Sequence, residues 1–402
     1  MTGDEPMPNY TDFKPYEPFL IETRRSLHMH PECGFDVVQT HDFVFARLRE
    51  MGIRTIAHVG KNSLLGILEN GAGPIVGLRA DMDALPLTEA NPDLTYRSRV
   101  PGRMHACGHD AHTAMLLTAA KFLKDHPNLW HGTVKLIFQE AEEGPSPGGA
   151  EGIVASGLVD DVACFYALHV SPAFPSGTIA IKTGEALAAA DTVQITLYGK
   201  GAHAAYPHLS VDPVLMQAEV ITALQALVAR NLDPTENAVV TISQVHAGTT
   251  HNIIPETAFL EGTVRTFNDA TRTLLKRGIE DVVKGITAMR GGTYDYKFTY
   301  GYDATINAPL AAADFQGVTE CLLGKDRFIP ISKASMGAED FSKYIRHKPG
   351  CIAWLGTHHD ETDGYSLHHP RFNVDENALL SGVVVLAGVV IHGSKQSKGE
   401  HA

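Results

Sequence analysis

The chain has 402 residues, 44% apolar and 20% charged, with 37 glycines and 22 prolines. At roughly 150 residues per domain that is two or three domains, or one large α/β body with an insertion, and it excludes a disulfide miniprotein and wholesale disorder. Lysine and arginine number 33 against 46 acidic residues, a formal net charge of −13 with no basic cluster, so nucleic acid is not an expected partner, because phosphate neutralisation needs a basic surface.

Residues 17 to 52 carry apolar side chains at helical spacing in two runs, EPFLIETRRSLHMHPE and THDFVFARLREMG, and predict a pair of amphipathic helices. SLLGILE and GPIVGLRADMDALP read as strands, the second a nearly continuous apolar block suited to a sheet covered on both faces, with Asp81 and Asp83 at its end. HDAHTAMLLTAAKFLKDH is a helix, GTVKLIFQEAEEG a strand running into a loop, and VACFYALHV a further strand. Strands alternating with helices predict an α/β sheet. From about residue 187 the pattern becomes βαββαβ: the strand AADTVQITLYGKG, a helix with Asp212 as N-cap and Pro213 at N1, the strands NAVVTISQVHAG and PETAFLEGTVRTF, the helix DATRTLLKRGIEDVVKGITAMRG, and the strand GTYDYKFTYGY. That order is the ferredoxin-like split unit, so residues 187–300 are expected to be a second domain inserted between residues 1–186 and 301–402 of the first. CIAWLGTHH is a strand, and DENALLSGVVVLAGVVIHG closes the chain as helix or strand, its β-branched residues leaving both open.

The five cysteines are scattered, and the start MTGDEPMPNY has neither the basic end nor the apolar stretch of a signal peptide. The longest apolar run, Val383 to Ile391, is short of the ~20 residues that span a bilayer. A reducing cytoplasm with no membrane span is the expectation. The 21 histidines direct attention to metal chemistry. RADMDALP, QEAEEG, ALHV and LHHP each follow an apolar segment, and MHACGHDAHT opens a helix, so these polar groups are candidates to converge beyond the strand ends. Cys107 and His109 share a glycine-containing turn, with His112 one helical turn on. Thiolate and imidazole favour zinc, with manganese or nickel also suited; a capping histidine beside a buried cysteine is the plainer reading. Adjacent Glu142 and Glu143 would face differently, as a metal ligand and a general base do, or they form a solvated turn. Taken alone, His169 after ACFYAL reads more readily as a buried core histidine than as a ligand, and His368 and His369 are no more specific.

Taken in order, GLRADMDALPL, HACGHDAHTAML, EAEEG followed by GGA, LHV, GKGAHAAYPH, HNIIPETAFLEGTVRTF, MGAEDF and LHHPRFNVDENAL resemble the M20 metallopeptidase family, specifically its hippurate-hydrolase and indoleacetyl-amino-acid-hydrolase branch. The resemblance covers nearly the whole chain. It implies a central mixed sheet with helices on both faces, a ferredoxin-like lid, and two divalent metal ions, zinc or manganese first and cobalt or nickel as alternatives. It implies metal ligands at Cys107, His109, Glu143, His169 and His368, the water-activating base at Glu142, and a supporting carboxylate at Asp83; Asp81 stands where other branches have a histidine ligand. It further implies an oxyanion donor at His203, substrate-carboxylate contacts from Asn252 and Arg265, and a substrate-lining loop at Gly337. The implied reaction is hydrolysis of N-acyl amino acids of the hippurate kind to a carboxylic acid and a free amino acid, by a homo-oligomer joined through the lid. N-acetyl-amino-acid deacetylation and dipeptide or carboxypeptidase cleavage are the neighbouring alternatives, and an inactive metal-binding protein is the alternative of another class.

Three departures from the branch stand out. Glu140 replaces a usual proline and is expected to raise the pKa of Glu142 by like-charge repulsion. The loop GPSPGGAEG is long, and Cys33 replaces an apolar residue. His28-Met29-His30 also invites comparison with barrel amidohydrolases, but the charged, helical IETRRSL before it is a poor barrel strand. No glycine-rich phosphate loop is complete.

Overall fold

A computed structural model describes residues 6–358 and 364–399. His359, the last residue of the expected strand CIAWLGTHH, lies outside them. In chain order the principal elements begin with helices α1 (Glu17–Met29) and α2 (Val38–Glu50), the predicted pair. Between them the Glu32 carboxylate accepts from the backbone N–H groups of Gln39 and Thr40, at 3.2 and 2.8 Å, and so satisfies donors that the first turn of α2 leaves open. Strands β1 (Arg54–Val59), β2 (Ser63–Asn70) and β3 (Ile75–Asp81) follow, then α3 (His109–Asp125), β4 (Gly132–Gln139), β5 (Cys164–Pro175) and β6 (Ile179–Ile181). The βαββαβ segment comprises β7 (Ala189–Tyr198), α4 (Pro213–Asn231), β8 (Ala238–Ala247), β9 (Thr257–Thr266), α5 (Asp269–Arg290) and β10 (Thr293–Tyr302). The chain ends with α6 (Pro309–Leu322), β11 (Phe328–Pro330), β12 (Gly350–His358) and α7 (Glu376–Gly399).

Contacts divide the chain into two units. The first comprises Met1–Ala186, Ile306–Lys333 and Asp340–Ala402; the second comprises Leu187–Thr305 and Ala334–Glu339.

The first unit holds an eight-stranded mixed sheet in the order β1-β2-β4-β3-β5-β12-β6-β11. Its central strands β4, β3, β5 and β12 run parallel, so their carboxyl ends share one edge, where ligands of open α/β sheets bind. The core is built from sheet residues such as Leu64, Leu78, Leu136 and Phe138, together with nearly every side chain of α3 and the valine-rich face of α7. The ambiguous closing segment is a helix. Over Glu376–Lys395 it is long and apolar enough to cross a membrane, with mean hydropathy 1.7, but 83% of that stretch is buried inside the protein, and it packs on α3 and α6 as a core helix. Each fully buried Val or Leu there contributes about 1.5–3 kcal/mol relative to exposure.

The second unit is a four-stranded antiparallel sheet in the order β8-β9-β7-β10. Alternation along β7 turns Val193, Ile195 and Leu197 inward, where they meet Met216, Val220 and Leu224 of α4 and Leu275, Ile279 and Val283 of α5. Asp212 caps α4, its carboxylate accepting from Val214 N–H at 2.8 Å and Leu215 N–H at 3.2 Å, with Pro213 at the first helical position as predicted.

Candidate metal centre

The residues of the first unit that sequence singles out come from the ends of neighbouring elements. Asp81 closes β3 and Asp83 follows it; Glu142 and Glu143 follow β4; His169 lies within β5; Cys107 and His109 flank the start of α3; and His368 precedes α7. Gly108, the N-cap of α3, has φ +87°, and a Cβ there would overlap the Val170 side chain. Only glycine lets α3 approach β5 this closely, which seats Cys107 and His109 beside His169. Ala141 and His368 also have positive φ, +53° and +66°. Strain of about 1–3 kcal/mol at such residues is typical of functional sites held by their surroundings.

Donor atoms gather within 4.8 Å of one another in overlapping groups: Cys107, His109 and His169; Cys107, Glu143 and His368; and His109, Glu142 and Glu143. Cys107 is common to two of these groups. Its Sγ is 3.5 Å from His169 Nε2, and His368 Nε2 is 2.9 Å from Glu143 Oε1. Asp83 accepts from the backbone N–H groups of Glu142 and Glu143 at 2.9 and 3.1 Å, which fixes the glutamate pair. His169 Nδ1 lies 2.7 Å from the carbonyl of Val170. A carbonyl only accepts, so Nδ1 carries the proton and Nε2 presents its lone pair toward Cys107. His112, by contrast, is committed: Nε2 accepts from Val170 N–H at 2.8 Å and Nδ1 donates to Asp81 Oδ1 at 2.6 Å. Asp81 is equally engaged, its Oδ2 accepting from Arg79 Nη1 at 2.8 Å.

The electrostatics follow from burial and close carboxylates. Burial raises the Cys107 thiol well above its ordinary pKa, and the Glu143, Glu142 and Asp81 carboxylates push it further. For His109 burial works downward, but Asp81 and Asp83 outweigh it and raise the imidazole to about 10. His169 falls to about 3, from burial and then the neighbouring His112. Burial favours a neutral Asp81, yet His109, His112 and Arg79 hold it well below the usual carboxylate range. Glu143 is lowered despite burial, through its hydrogen bond to His368 and the charge of His109. The carboxylates thus favour positive charge at this point. Both nitrogens of His109 are buried and lack a well-directed hydrogen bond, Nδ1 standing 3.4 Å from Asp83 Oδ1 and Nε2 3.6 Å from Asp81 Oδ2, so the imidazole sits among carboxylates that favour a cation here. Sulfur, imidazole and carboxylate together suit divalent zinc, with manganese, cobalt and nickel compatible through the harder donors.

The remaining candidates belong to the second unit. His203 is exposed on a two-residue strand, Ala202–His203, paired with Ile253–Ile254. Its Nδ1 accepts from Ala205 N–H at 3.0 Å, so the proton sits on Nε2, free to donate outward. Asn252 is adjoining: its carbonyl accepts from Ala204 N–H at 3.0 Å. Arg265, on β9, directs its guanidinium at Thr263 Oγ1 and at the Val264 carbonyl, and no carboxylate forms an ion pair with it among the described residues. Gly337 is exposed, and its carbonyl accepts from Ala188 N–H at 2.9 Å.

One expectation changes on this geometry, and another holds. Glu140 is turned into the β1–β2 connection, where its carboxylate accepts from Lys61 and Asn62 N–H at 2.8 and 2.7 Å; it is a turn clamp in place of a like-charge neighbour aimed at Glu142. His28 and His30 end a helix. His28 is buried between Asp110, 2.8 Å away, and Glu89, at 3.3 Å, while the exposed His30 bonds the Ser26 carbonyl, so neither resembles a barrel ligand. Sequence reasoning also passed over Arg79, Gln139 and Asp340, buried polar residues beside the centre. The signal was a charged residue inside an apolar strand at GLRAD and the unassigned acid of MGAEDF.

Residues 77–392 match the peptidase family M20/M25/M40. The chain is 35% identical to an IAA-amino acid hydrolase of Arabidopsis thaliana over 95% of its own length and 87% of that protein. It is 36% identical to an N-acetyl-L-cysteine deacetylase of Bacillus subtilis, covering 92% and 87%. Among solved structures, a dinuclear metal binding peptidase of the M20 family from Bacillus subtilis superimposes with a TM-score of 0.82 at 32% identity, covering 95% of this chain and 99% of the other.

Proposed function

The chain belongs to peptidase family M20/M25/M40 and is a metal-dependent amide hydrolase with a dinuclear metal site, and from that premise we propose that it cleaves N-acyl amino acids of the hippurate kind into a carboxylic acid and a free amino acid. The observation that carries the reading is the pair of donor groups sharing Cys107, with the Glu142 carboxylate 3.9 Å from His109 Nε2. Cys107, His109, Glu143, His169 and His368 are the ligands in this proposal. Divalent ions, when bound, supply Lewis acidity toward an amide carbonyl and make water more acidic. Glu142 then takes the proton of the attacking water and passes it to the leaving amine nitrogen, so one carboxyl group serves both transfers. Asp83 keeps Glu142 in place through the backbone. His203 donates its Nε2–H to the developing oxyanion, an interaction of the kind whose removal lowers kcat by about 10²–10³.

The amino acid product fixes one feature of the substrate, a carboxylate next to the scissile amide. Arg265, without an ion-pairing acid, and Asn252 suit that group, and Gly337 lines the same pocket in this reading. The names of the two relatives, an amino acid conjugate hydrolase and a deacetylase, support small N-acyl amino acids as the class. Free cysteines at all five positions suit a reducing cytoplasm. The edge strand β8, with Val245 41% exposed, suits self-association of the second unit.

The test is release of free amino acid from N-benzoyl, indoleacetyl and N-acetyl amino acids and from dipeptides, after chelation and again with zinc, manganese, cobalt or nickel restored. Highest turnover on the aromatic acyl compounds, abolished in Glu142→Gln with metal content unchanged, is the expected result. Preference for N-acetyl amino acids or dipeptides moves the enzyme to the neighbouring alternatives. Metal binding without turnover on any compound refutes the substrate class.

A further inference from the structure

Arg79 presents a guanidinium in the middle of a sheet, with 3% of its surface exposed. Removing such a charge from water costs several kcal/mol unless hydrogen bonds and an opposite charge compensate. Here the compensation is organised in one direction. Arg79 Nη2 donates to Asp340 Oδ1 at 2.7 Å, Nε to Gln139 Oε1 at 3.0 Å and Nη1 to Asp81 Oδ2 at 2.8 Å. Asp340, itself 0% exposed, also accepts from Gln139 Nε2 at 2.7 Å and from Ala150 N–H at 3.1 Å. Asp81 Oδ1 in turn holds His112 Nδ1–H, and His112 Nε2 holds the N–H of Val170, the peptide that joins His169 to Val170.

The polarity of each link is forced. The Val170 N–H can only donate, so His112 Nε2 accepts; its proton then sits on Nδ1 and needs an acceptor, which is Asp81. Arg79 can only donate, so Asp81 and Asp340 accept. In a dry interior such a fully satisfied chain is rigid, while a single reversed group leaves a costly unmatched donor.

We propose that Asp340 and Arg79 are positioning residues for the metal centre, acting through Asp81 and His112 to fix the His169 peptide and the flank of His109 that faces Asp81. The proposal rests on the reading that His169 and His109 are metal ligands. It gives the acid of MGAEDF a part in metal retention, and it makes His112 a support for ligands.

Asp340→Asn probes the far end of the chain with little change in volume. Arg79, Gln139 and Ala150 all donate to Asp340, and an amide in its place gives up acceptor capacity and the negative charge that meets the Arg79 guanidinium. The zinc-loaded full-length enzyme is compared with its variants for zinc affinity by chelator competition, for kcat and KM, and for thermal midpoint. D340N is expected to weaken zinc binding and lower kcat by about 10–100-fold each, as loss of a supporting partner does, with KM little changed. His112→Leu should do the same, whereas His112→Gln, whose amide offers a donor and an acceptor as the imidazole does, should recover most of the affinity. The double variant D340N/H112L should be no worse than the more damaged single variant, because both break one chain. Should D340N not accumulate as folded protein, Gln139→Met, which removes the amide between Arg79 and Asp340 at similar volume, takes its place with the same expectation. A lowered thermal midpoint with unchanged zinc affinity and kcat, or losses that multiply in the double variant, overturns the proposal. Cys107→Ser and His169→Ala separate the two readings: if these also leave zinc binding intact, the ligand assignment has failed; if they abolish it while D340N does not alter it, the positioning role alone has failed.

Discussion

At the scale of single residues, the proposed ligation by Cys107 and His109 would couple metal uptake to protons. In chelated enzyme near neutral pH, the raised Cys107 thiol and the raised His109 imidazole both keep their protons. Ligation requires thiolate and neutral imidazole, so zinc added to weakly buffered, chelated protein should acidify the solution, read with an indicator dye. Cys107→Ser should reduce the release, and no proton release at all would refute the assignment of these two ligands. His203→Ala should lower kcat by about 10²–10³ while KM stays near its parent value; an effect confined to KM would remove it as an oxyanion donor. His28 offers a test outside the chemistry. Burial and Arg24 push its pKa down, but Asp110 and Glu89 leave it raised above the ordinary value. A group raised on folding stabilises fully below its unfolded pKa of about 6.5 and loses that contribution as pH climbs through the folded value. The denaturation midpoint should therefore fall over that window, and His28→Gln should remove this part of the slope.

At the scale of elements, the junction of α3 with β5 is set by one glycine. Gly108→Ala adds a methyl where Val170 already lies and imposes φ +87° on an L side chain; backbone strain alone is about 1–3 kcal/mol. The variant should lose metal and melt earlier, and normal metal content would show that α3 can shift without cost. The same elements explain what sequence could reveal. The helix pair, β3, α3 and the βαββαβ order were legible because each has a periodic apolar face and clear punctuation. β1 escaped notice because, as an edge strand with mixed exposure, it buries little. α6 escaped because its alanines give PLAAADFQGVTECL a weak pattern. α7 stayed ambiguous because a helix buried on nearly all sides has no polar stripe to betray its period. The candidate ligands were legible from motifs. The Arg79 and Asp340 chain was not, since its partners lie far apart in sequence and meet only when β3 and the segment after Glu339 are folded together. Glu140 misled because neighbours in sequence at a loop need not share a direction in space.

At the scale of the molecule, each unit has its own core, and the proposed metal ligands Cys107, His109, Glu143, His169 and His368 all belong to the first. Metal at about a thousand times its dissociation constant stabilises the binding unit by about 4 kcal/mol. Calorimetry of the full chain should show one transition that chelator moves to lower temperature and one that it leaves in place. The segment 187–305 expressed alone should reproduce the second, and failure of that segment to unfold cooperatively would make the second unit dependent on the first.

The insertion has a further consequence, for synthesis. In the finished sheet β12 lies beside β5, with Cys351 opposite Tyr166, yet the ribosome makes the whole second unit between the two. At roughly 5–20 residues per second this interval lasts roughly 10–40 s. Throughout it the nascent first unit carries β5 as an open, apolar strand edge that any neighbouring nascent chain on the same messenger could pair with. Chains arrested ahead of Gly350 should be protease-sensitive before residue 187 and resistant within 187–305. The gene's tolerance for slow codons should accordingly be lowest between the end of β5 and the end of β12.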